Sequence, residues 1–440
     1  MFGKKKSPAP KKRHQKPVTN LKTVRQHQKR EEKRIKELER SLRGRTFGVY
    51  IHIPFCKSKC AYCDFYSLPG HESRMDAYAL ALSANLSELA PSMGSYTVDT
   101  VYLGGGTPSI FGEQRLKNLL TLLHKTLHLA KNCECTMECN PDSVTTSLMR
   151  TVRKAGVNRI SLGMQSAQDD ELRAVGRPHT MEQTRQAVRA IRKAKIKNLS
   201  LDLIYGLPGQ TMESWQASVE EAMALGPEHL SLYALTLEEG TPLWAARERT
   251  PLADDDEMAD RYLWAVERLK AAGYEQYEIS NFAKPGYASR HNQKYWRCEE
   301  YVGFGPAAHS DFGGCRYSYI ADLEGYIDGM ASGKELVAES EQIPEKERAR
   351  EYLMLRLRTT EGILQEEYHR LFHMSFAPLQ AKLEEYAAQG WAVSEKGRWH
   401  FTPEGFLRSN LLIGAILEAQ EADMVKNSAV NLRGTPPFGG

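Results

Sequence analysis

One repeated pattern of strand and helix constrains the fold of this chain more than any other feature. From Thr46 onward a short strand-like run ends in a polar or glycine-rich turn, and a helical stretch follows. The strand-like runs are GVYIHIP, DTVYLGGGTPS, ECTMECNPDS, RISLGMQS, LSLDLIYGLPGQT and LSLYALTLEEGTP. The helical stretches include RMDAYALALSANLSELA, EQRLKNLLTLLHKTLHLA, MEQTRQAVRAIRKAK and MESWQASVEEAMALG. Strands that alternate with helices are typical of parallel βαβ units, so the pattern predicts an α/β fold.

The two faces of these strands distinguish between two α/β architectures. Successive side chains on a strand point to opposite faces. Ser161 and Gln165 share one face of the fourth run, and Ser200 and Asp202 share one face of the fifth, while the opposite faces are apolar. A doubly wound sheet would be apolar on both faces. We therefore expect a partial (β/α)6 TIM-like barrel with its site at the carboxyl ends of the strands.

Three cysteines follow the first strand in the spacing C-x3-C-x2-C, at Cys56, Cys60 and Cys63. A structural zinc site needs four protein ligands, and no fourth ligand lies near the three cysteines in the sequence. Three thiolates on an iron–sulfur cluster would instead leave one iron open to a non-protein ligand. Lys57 and Lys59 are expected to favour the ionised thiols. Eight cysteines in 440 residues are too sparse for a disulfide scaffold. The sequence thus predicts an iron–sulfur cluster in a cytoplasmic protein.

This motif, at the end of a first strand and with an aromatic residue before its last cysteine, resembles that of the radical S-adenosylmethionine (SAM) superfamily. In that superfamily SAM binds the open iron through its amino and carboxylate groups. An electron from the cluster then cleaves SAM into methionine and a 5′-deoxyadenosyl radical. The resemblance implies that Cys56, Cys60 and Cys63 hold the cluster.

Five motifs, YIHIPFC, GGGTPS, LGMQS, DLIYGLPGQT and YALTLEEGTP, resemble the oxygen-independent coproporphyrinogen III oxidase family over residues 46–410. The resemblance implies that Tyr50, Gly105 and Glu138 contact the cluster-bound SAM. It also implies a second SAM site, lined by Tyr62, Gly106, Thr107, Gln165, Arg177 and Asp202. These residue types suit the roles, because glycines let a backbone approach a ligand closely and a carboxylate suits ribose hydroxyls.

Other segments distinguish the chain from the true oxidases. Those enzymes have a further cysteine two positions after the third, where this chain has Phe65. The segments HNQKYW (residues 291–296) and GFGPAAHSDF (residues 303–312) instead resemble the HemW-type heme chaperones, a sister group. A loop histidine is commonly structural, but an imidazole is also a usual axial ligand of heme iron. The resemblance implies that His291 is the heme ligand, with Tyr295 and Trp296 near the porphyrin and His309 as a second candidate.

The two ends of the chain differ from this body. Residues 1–43 hold sixteen Lys or Arg and four Glu, a net charge of +12, so the remainder carries −8 of the total of +4. This basic segment is poor in apolar residues, and we expect a disordered, solvated extension. Contact with nucleic acid or with an anionic membrane surface is the alternative. Residues 345–410 read as helices and a hairpin turning at residues 395–397. Because ten basic residues balance ten acidic ones there, a winged-helix-like α+β domain without specific DNA binding is expected.

The expected organisation is a basic extension (residues 1–43), a radical SAM barrel (44–275), a connecting region with the HNQKYW motif (276–340), a C-terminal winged-helix-like domain (341–420) and a disordered tail (421–440). The expected function is a heme chaperone that binds heme, a [4Fe–4S] cluster and SAM, and passes heme to an acceptor such as a respiratory hemoprotein. An electron donor for the cluster is an implied partner. Coproporphyrinogen III oxidation, radical SAM methyl transfer and, more distantly, nucleic-acid binding are the alternatives.

Overall fold

The computed structural model describes residues 45–433. The predicted basic extension therefore lies outside the described residues, as do the last seven residues of the predicted tail. Within the described range the strands are β1 Thr46–Ile53, β2 Phe55–Cys56, β3 Leu68–Pro69, β4 Thr97–Gly105, β5 Leu129–Cys139, β6 Arg159–Gln165, β7 Asn198–Tyr205, β8 His229–Ala234, β9 Glu275–Gln276, β10 Asn281–Ala283, β11 Tyr301–Phe304, β12 His309–Phe312, β13 Cys315–Tyr319, β14 Val337–Gln342, β15 Ile363–Leu364, β16 Ala392–Glu395 and β17 Arg398–Phe401.

The α-helices surround this sheet and form most of the C-terminal part. They are α1 Met75–Leu89, α2 Glu113–Thr126, α3 Thr146–Lys154, α4 Asp169–Ala174, α5 Met181–Lys193, α6 Met212–Ala224, α7 Pro242–Ala246, α8 Asp255–Ala271, α9 Arg290–Trp296, α10 Leu323–Ser332, α11 Glu345–Arg356, α12 Gln365–Phe372, α13 Ala377–Ala388, α14 Pro403–Leu407 and α15 Ser409–Arg433. Short 3₁₀ segments cover Glu72–Arg74, Ala90–Met93, Pro108–Ile110, Pro141–Ser143 and Arg247–Arg249. Between residues 45 and 433 no helix combines the length and apolarity needed to cross a membrane.

The six predicted strands are β1, β4, β5, β6, β7 and β8, and they lie side by side in chain order as parallel neighbours. A helix follows each of the first five strands before the next begins. In the described part of the chain the large sheet runs in the order β14-β13-β12-β11-β1-β4-β5-β6-β7-β8-β10-β9, with β14 and β9 as its two edges. The predicted α/β fold with an open, partial barrel is therefore confirmed.

The region predicted as a connection contributes more to this sheet than the sequence indicates. β11 pairs parallel with β1, and β12 to β14 continue antiparallel beyond it. On the other edge β10 and β9 pair antiparallel beyond β8. These added strands have two to six residues each. Strands this short carry too little alternation for a period of two to be recognised.

Burial follows the predicted alternation of the parallel strands. Leu199, Leu201 and Leu203 of β7 are fully buried on the helix-facing side. Burial of each such leucine side chain contributes roughly 1.5–3 kcal/mol to stability. Between them, Ser200 and Asp202 lie on the opposite side, where they bond to each other. The apolar face therefore holds the strands against the helices and leaves the polar face free to form a site.

The C-terminal part has the order helix, strand, helix, helix and hairpin, from α11 to β17. β15 pairs antiparallel with β17 of the hairpin, which is a winged-helix arrangement. The hairpin turns at Lys396 and Gly397, with φ of 52° and 80°, where it was predicted. The helix α15 runs from Ser409 to Arg433 and so continues past residue 421, where the tail was predicted to begin.

Candidate cofactor site

A cavity of about 470 Å³ opens at the carboxyl ends of the parallel strands. Its volume lies within the roughly 300–1,000 Å³ usual for small-molecule sites. The predicted site residues that line it are Cys56, Cys60, Tyr62, Cys63, Gly105, Gly106, Thr107, Glu138, Gln165, Arg177 and Asp202. Tyr50 and His291 are not among the lining residues. The fold thus brings eleven of the thirteen predicted residues into one cavity.

The cysteine loop presents three thiols to this cavity. Cys56 and Cys60 are buried and Cys63 is half-buried. Thr107 Oγ1 lies 3.3 Å from Cys56 Sγ, and Arg177 Nη1 donates to Cys60 Sγ at 3.5 Å. The backbone N–H of Cys63 closes a turn onto the carbonyl of Cys60 at 3.1 Å. Side chains distant in sequence therefore hold the sulfurs in place.

Of the two lysines expected to help keep these thiols ionised, Lys59 does lower the pKa of Cys63, but burial outweighs it. Lys57 pairs with Asp142 at 2.7 Å, and Lys59 donates to the carbonyl of Phe65 at 3.2 Å. Burial is the main influence on Cys63 and raises its pKa, and the charge of Lys59 lowers it least of all. Burial also raises the pKa of the Cys56 thiol. Iron binding at Cys56 and Cys63 would therefore displace their protons.

The donor set fits a cluster better than a single ion. Among the described residues no three or more His, Cys, Asp or Glu side chains are placed to hold one metal ion. The ligands of a zinc ion would all lie about 2.0–2.3 Å from one point. In a [4Fe–4S] cluster each thiolate binds a different iron, so the sulfurs need not converge. Three thiols that face one cavity suit the cluster, with one iron left for a non-protein ligand.

The glycines at the end of β4 form the edge of the cavity beside the cysteine loop. Gly105 has a φ of +109°, and a Cβ built there would lie 2.6 Å from the ring of His52. A Cβ on Gly106 would lie 2.6 Å from the carbonyl oxygen of Phe55. A side chain at either position would collide with its neighbours. Glycine is therefore required where this backbone passes close to the cavity.

Two carboxylates on neighbouring parts of the sheet face the cavity. Glu138 accepts hydrogen bonds from the Tyr102 hydroxyl at 2.8 Å and from the Gly105 N–H at 3.2 Å. Burial raises the pKa of Glu138 to about 7. Asp202 accepts from three hydroxyls at 2.8–3.0 Å, those of Ser161, Ser200 and Ser231. Burial also raises the pKa of Asp202, and these hydrogen bonds oppose that effect. Such carboxylates can accept hydrogen bonds from an ammonium group or from ribose hydroxyls.

Gln165 and Arg177 hold polar atoms that no residue in the described range 45–433 satisfies. Gln165 has a φ of 63°, in the left-handed region, and its Oε1 is buried without a hydrogen-bond partner. Arg177 donates to Asn140 Oδ1 at 2.8 Å and to the Gly163 carbonyl at 3.0 Å, while its Nε has no partner. Strained backbone and unpaired buried polar atoms are concentrated at ligand sites. Both side chains fit a site that a polar ligand completes.

The predicted heme ligand is enclosed. His291 lies in the first turn of α9 and is 1% exposed. Its Nδ1 is 2.9 Å from Thr100 Oγ1, and its Nε2 is 2.9 Å from the Tyr295 hydroxyl. Burial lowers the pKa of His291 to about 3, so the imidazole is neutral. His309, the second candidate, is exposed at the start of β12.

Tyr50 also lies outside the cavity lining and contacts neighbouring side chains instead. Its hydroxyl bonds to His52 Nδ1 at 3.0 Å, and its ring stacks on that of Tyr102 at 6.3 Å. Tyr102 and Arg159 do line the cavity, although neither was predicted from the sequence. Arg159 falls on the same face of β6 as Gln165, so the alternation along this strand carried the signal.

Comparisons with known proteins agree with this arrangement. Residues 50–222 match the family model of the radical SAM superfamily, and residues 343–408 match the HemN C-terminal domain. The heme chaperone HemW of Bacillus subtilis is 33% identical over 84% of this chain and 99% of its own length. This chain belongs to the HemW family. The HemW of Escherichia coli is 34% identical over 84% of this chain and 98% of its own length, and that of Mycobacterium tuberculosis H37Rv is 38% identical over 73% and 83%.

The solved structures extend the comparison to the fold of this HemW family member. Coproporphyrinogen III oxidase (HemN) from Escherichia coli, described as a radical SAM enzyme, superimposes with a TM-score of 0.74. The match covers 86% of this chain and 90% of the oxidase, at 21% sequence identity. At that identity the likeness shows the fold alone. The resemblance to the HemW-type chaperones is confirmed at the level of the family.

Proposed function

We propose that this HemW family member is a cytoplasmic heme chaperone that binds a [4Fe–4S] cluster, SAM and heme, and transfers heme to an acceptor hemoprotein. The observation that carries the proposal is the loop of three thiols, Cys56, Cys60 and Cys63, that lines one cavity. The HNQKYW segment and the heme chaperone names of the relatives support the heme part.

In this proposal Cys56, Cys60 and Cys63 hold the cluster. A bound cluster supplies the electron that can cleave SAM, and an electron donor protein would recharge it. The protein adjusts this chemistry through its own groups. Arg177 beside Cys60 Sγ and Thr107 beside Cys56 Sγ would stabilise the thiolates, because hydrogen bonds to cluster sulfurs shift the reduction potential. Binding and delivery of heme are the function, and cluster and SAM support or gate them.

Glu138 and Asp202 are placed to accept hydrogen bonds from SAM. Glu138 lies beside the Gly105 N–H, at the end of the cavity near the cysteine loop. With a pKa of about 7, it exists as a mixture of acid and carboxylate at neutral pH. Its carboxylate form would accept a hydrogen bond from an N–H of the SAM amino group. Gln165, whose Oε1 has no partner, would complete the second SAM site.

Heme ligation by His291 requires a local rearrangement. If Nδ1–H donates to Thr100, the lone pair of Nε2 is directed at the Tyr295 hydroxyl. A histidine ligand commonly donates its second N–H in this way, which fixes the tautomer. Heme iron would replace the Tyr295 hydroxyl at Nε2 and keep the bond to Thr100.

The test is an anaerobic heme titration of the cluster-reconstituted protein, followed by Soret absorbance. Saturable binding of about one heme per chain is expected. In His291→Ala this binding should be lost, or the Soret band of the bound heme should shift to the blue. His309→Ala is the matched control, since this second histidine is exposed. Heme binding that is lost only in His309→Ala would identify His309, and not His291, as the heme ligand. The absence of saturable heme binding would refute the chaperone function. Formation of protoporphyrinogen would then identify an oxidase, and a methylated product with S-adenosylhomocysteine would identify a methyltransferase.

A further inference from the structure

Arg159 is a buried cation that no acceptor satisfies. It is the first residue of β6, is 1% exposed and lines the cavity. Its side chain makes no ion pair and no hydrogen bond with any residue in the described part of the chain, and its Nε is buried without a partner. Burial disfavours its charge, but the negative charges of Glu134 and Asp202 at longer range favour it and raise the pKa of the guanidinium, which therefore stays charged. Such a group needs an explanation beyond packing.

The nearby carboxylates are bonded to other donors. Glu134 accepts the backbone N–H groups of Arg290 and His291 at 3.2 and 3.1 Å. Asp202 accepts from serine hydroxyls, and Glu138 accepts from Tyr102 and Gly105. None of these carboxylates lies within ion-pairing distance of Arg159. The guanidinium therefore faces the cavity with its donors unused.

We propose that Arg159 is a carboxylate-binding residue for a ligand that reaches the deep end of this cavity. A planar guanidinium matches a carboxylate with two parallel hydrogen bonds. Arg159 and Gln165 stand at opposite ends of β6, about 20 Å apart at 3.3 Å per residue. Gln165 lies at the carboxyl end, near the cysteine loop. The subsite is thus remote from the three thiols.

The identity of the ligand rests on the proposed function. A SAM molecule on the cluster uses its own carboxylate at the iron, so the carboxylate at Arg159 belongs to another molecule. Two sources share this chemistry: the amino-acid end of a second SAM, and a propionate of heme. The two can be separated because the heme propionates can be esterified and the bound SAM molecules can be counted.

The experiment uses the cluster-reconstituted full chain and its Arg159→Gln and Arg159→Lys variants. Heme and heme dimethyl ester are titrated anaerobically, and SAM stoichiometry is measured by equilibrium dialysis. If a propionate binds, the wild type prefers heme over the ester about tenfold or more, and Arg159→Gln abolishes that preference. If a second SAM binds, stoichiometry falls from two to one in Arg159→Gln. Arg159→Lys should keep part of either effect.

Arg261→Gln is the matched control, since Arg261 is also buried but donates through Nη2 to the Gln210 carbonyl at 2.8 Å and lies outside the cavity lining. It should leave both readouts unchanged. The inference is overturned by a wild type that does not distinguish heme from its ester and binds one SAM, and that measurement needs no variant. It is also overturned if Arg159→Gln keeps both wild-type values. Heme binding itself would remain in either case, so failure of this subsite is distinguishable from failure of the proposed function.

Discussion

Replacement of Tyr295 by phenylalanine should tighten heme binding. The change removes the hydroxyl that lies 2.9 Å from His291 Nε2 and keeps the ring, whose centroid is 4.6 Å from that of Tyr301. A neutral hydrogen bond contributes a net ~1 kcal/mol, and ligation of iron by Nε2 must break this one. The variant no longer pays that cost, so heme affinity should rise about fivefold.

Two measurements on the same protein test this reasoning. Chemical denaturation of the heme-free variant should show a loss of about 1 kcal/mol in the free energy of unfolding, since Nε2 loses its partner. Soret titration should then show the tighter heme binding. Tyr301→Phe is the control, because Tyr301 packs against Tyr295 and has no hydrogen bond to His291. Loss of stability without any gain in heme affinity would refute ligation through Nε2 of His291.

Three further changes test the site. Cys60→Ser should abolish the iron content and charge-transfer absorbance of the reconstituted protein, whereas Cys298→Ser, at an exposed cysteine, should keep both. Gly105→Ala should lower the free energy of unfolding by roughly 1–3 kcal/mol more than Gly209→Ala in chemical denaturation, because both have positive φ but only the first meets a ring at 2.6 Å. SAM affinity should rise between pH 6 and 8 as Glu138 loses its proton near pH 7. This pH dependence should vanish in Glu138→Gln. If it persists in the variant, another group is responsible for the pH dependence.

The polar face of the barrel could be predicted from the sequence because it depends on a local rule. Alternation along β6 and β7 identified Gln165 and Asp202 as residues of the inner face, and both line the cavity. The same alternation included Arg159, but a lone arginine at the start of a strand gave no reason to single it out. The sequence therefore placed Arg159 on the inner face. Only the structure shows that it is buried and that its Nε lacks a partner among the described residues.

Partners that are distant in sequence could not be predicted. The proximity of Lys57 to Cys56 suggested an effect on the thiol, yet Lys57 pairs with Asp142, 85 residues away. The HNQKYW segment identified His291, but its Nδ1 partner Thr100 lies 191 residues away on β4. Local sequence gives the chemistry that a residue can perform. The atoms that compete for it are set by the packing of the sheet.

Tyr102 contacts both the cavity and the HNQKYW segment. Its hydroxyl donates to Glu138, and its ring stacks on that of His291 with centroids 5.1 Å apart. Because protein interiors are closely packed, a movement of α9 that frees His291 must disturb this ring and its hydrogen bond. SAM at Glu138 should therefore alter heme affinity, and by linkage heme should alter SAM affinity by the same factor. Tyr102→Phe should reduce that factor, measured as the ratio of heme dissociation constants with and without SAM. An unchanged ratio would mean that Tyr102 does not couple the two binding sites.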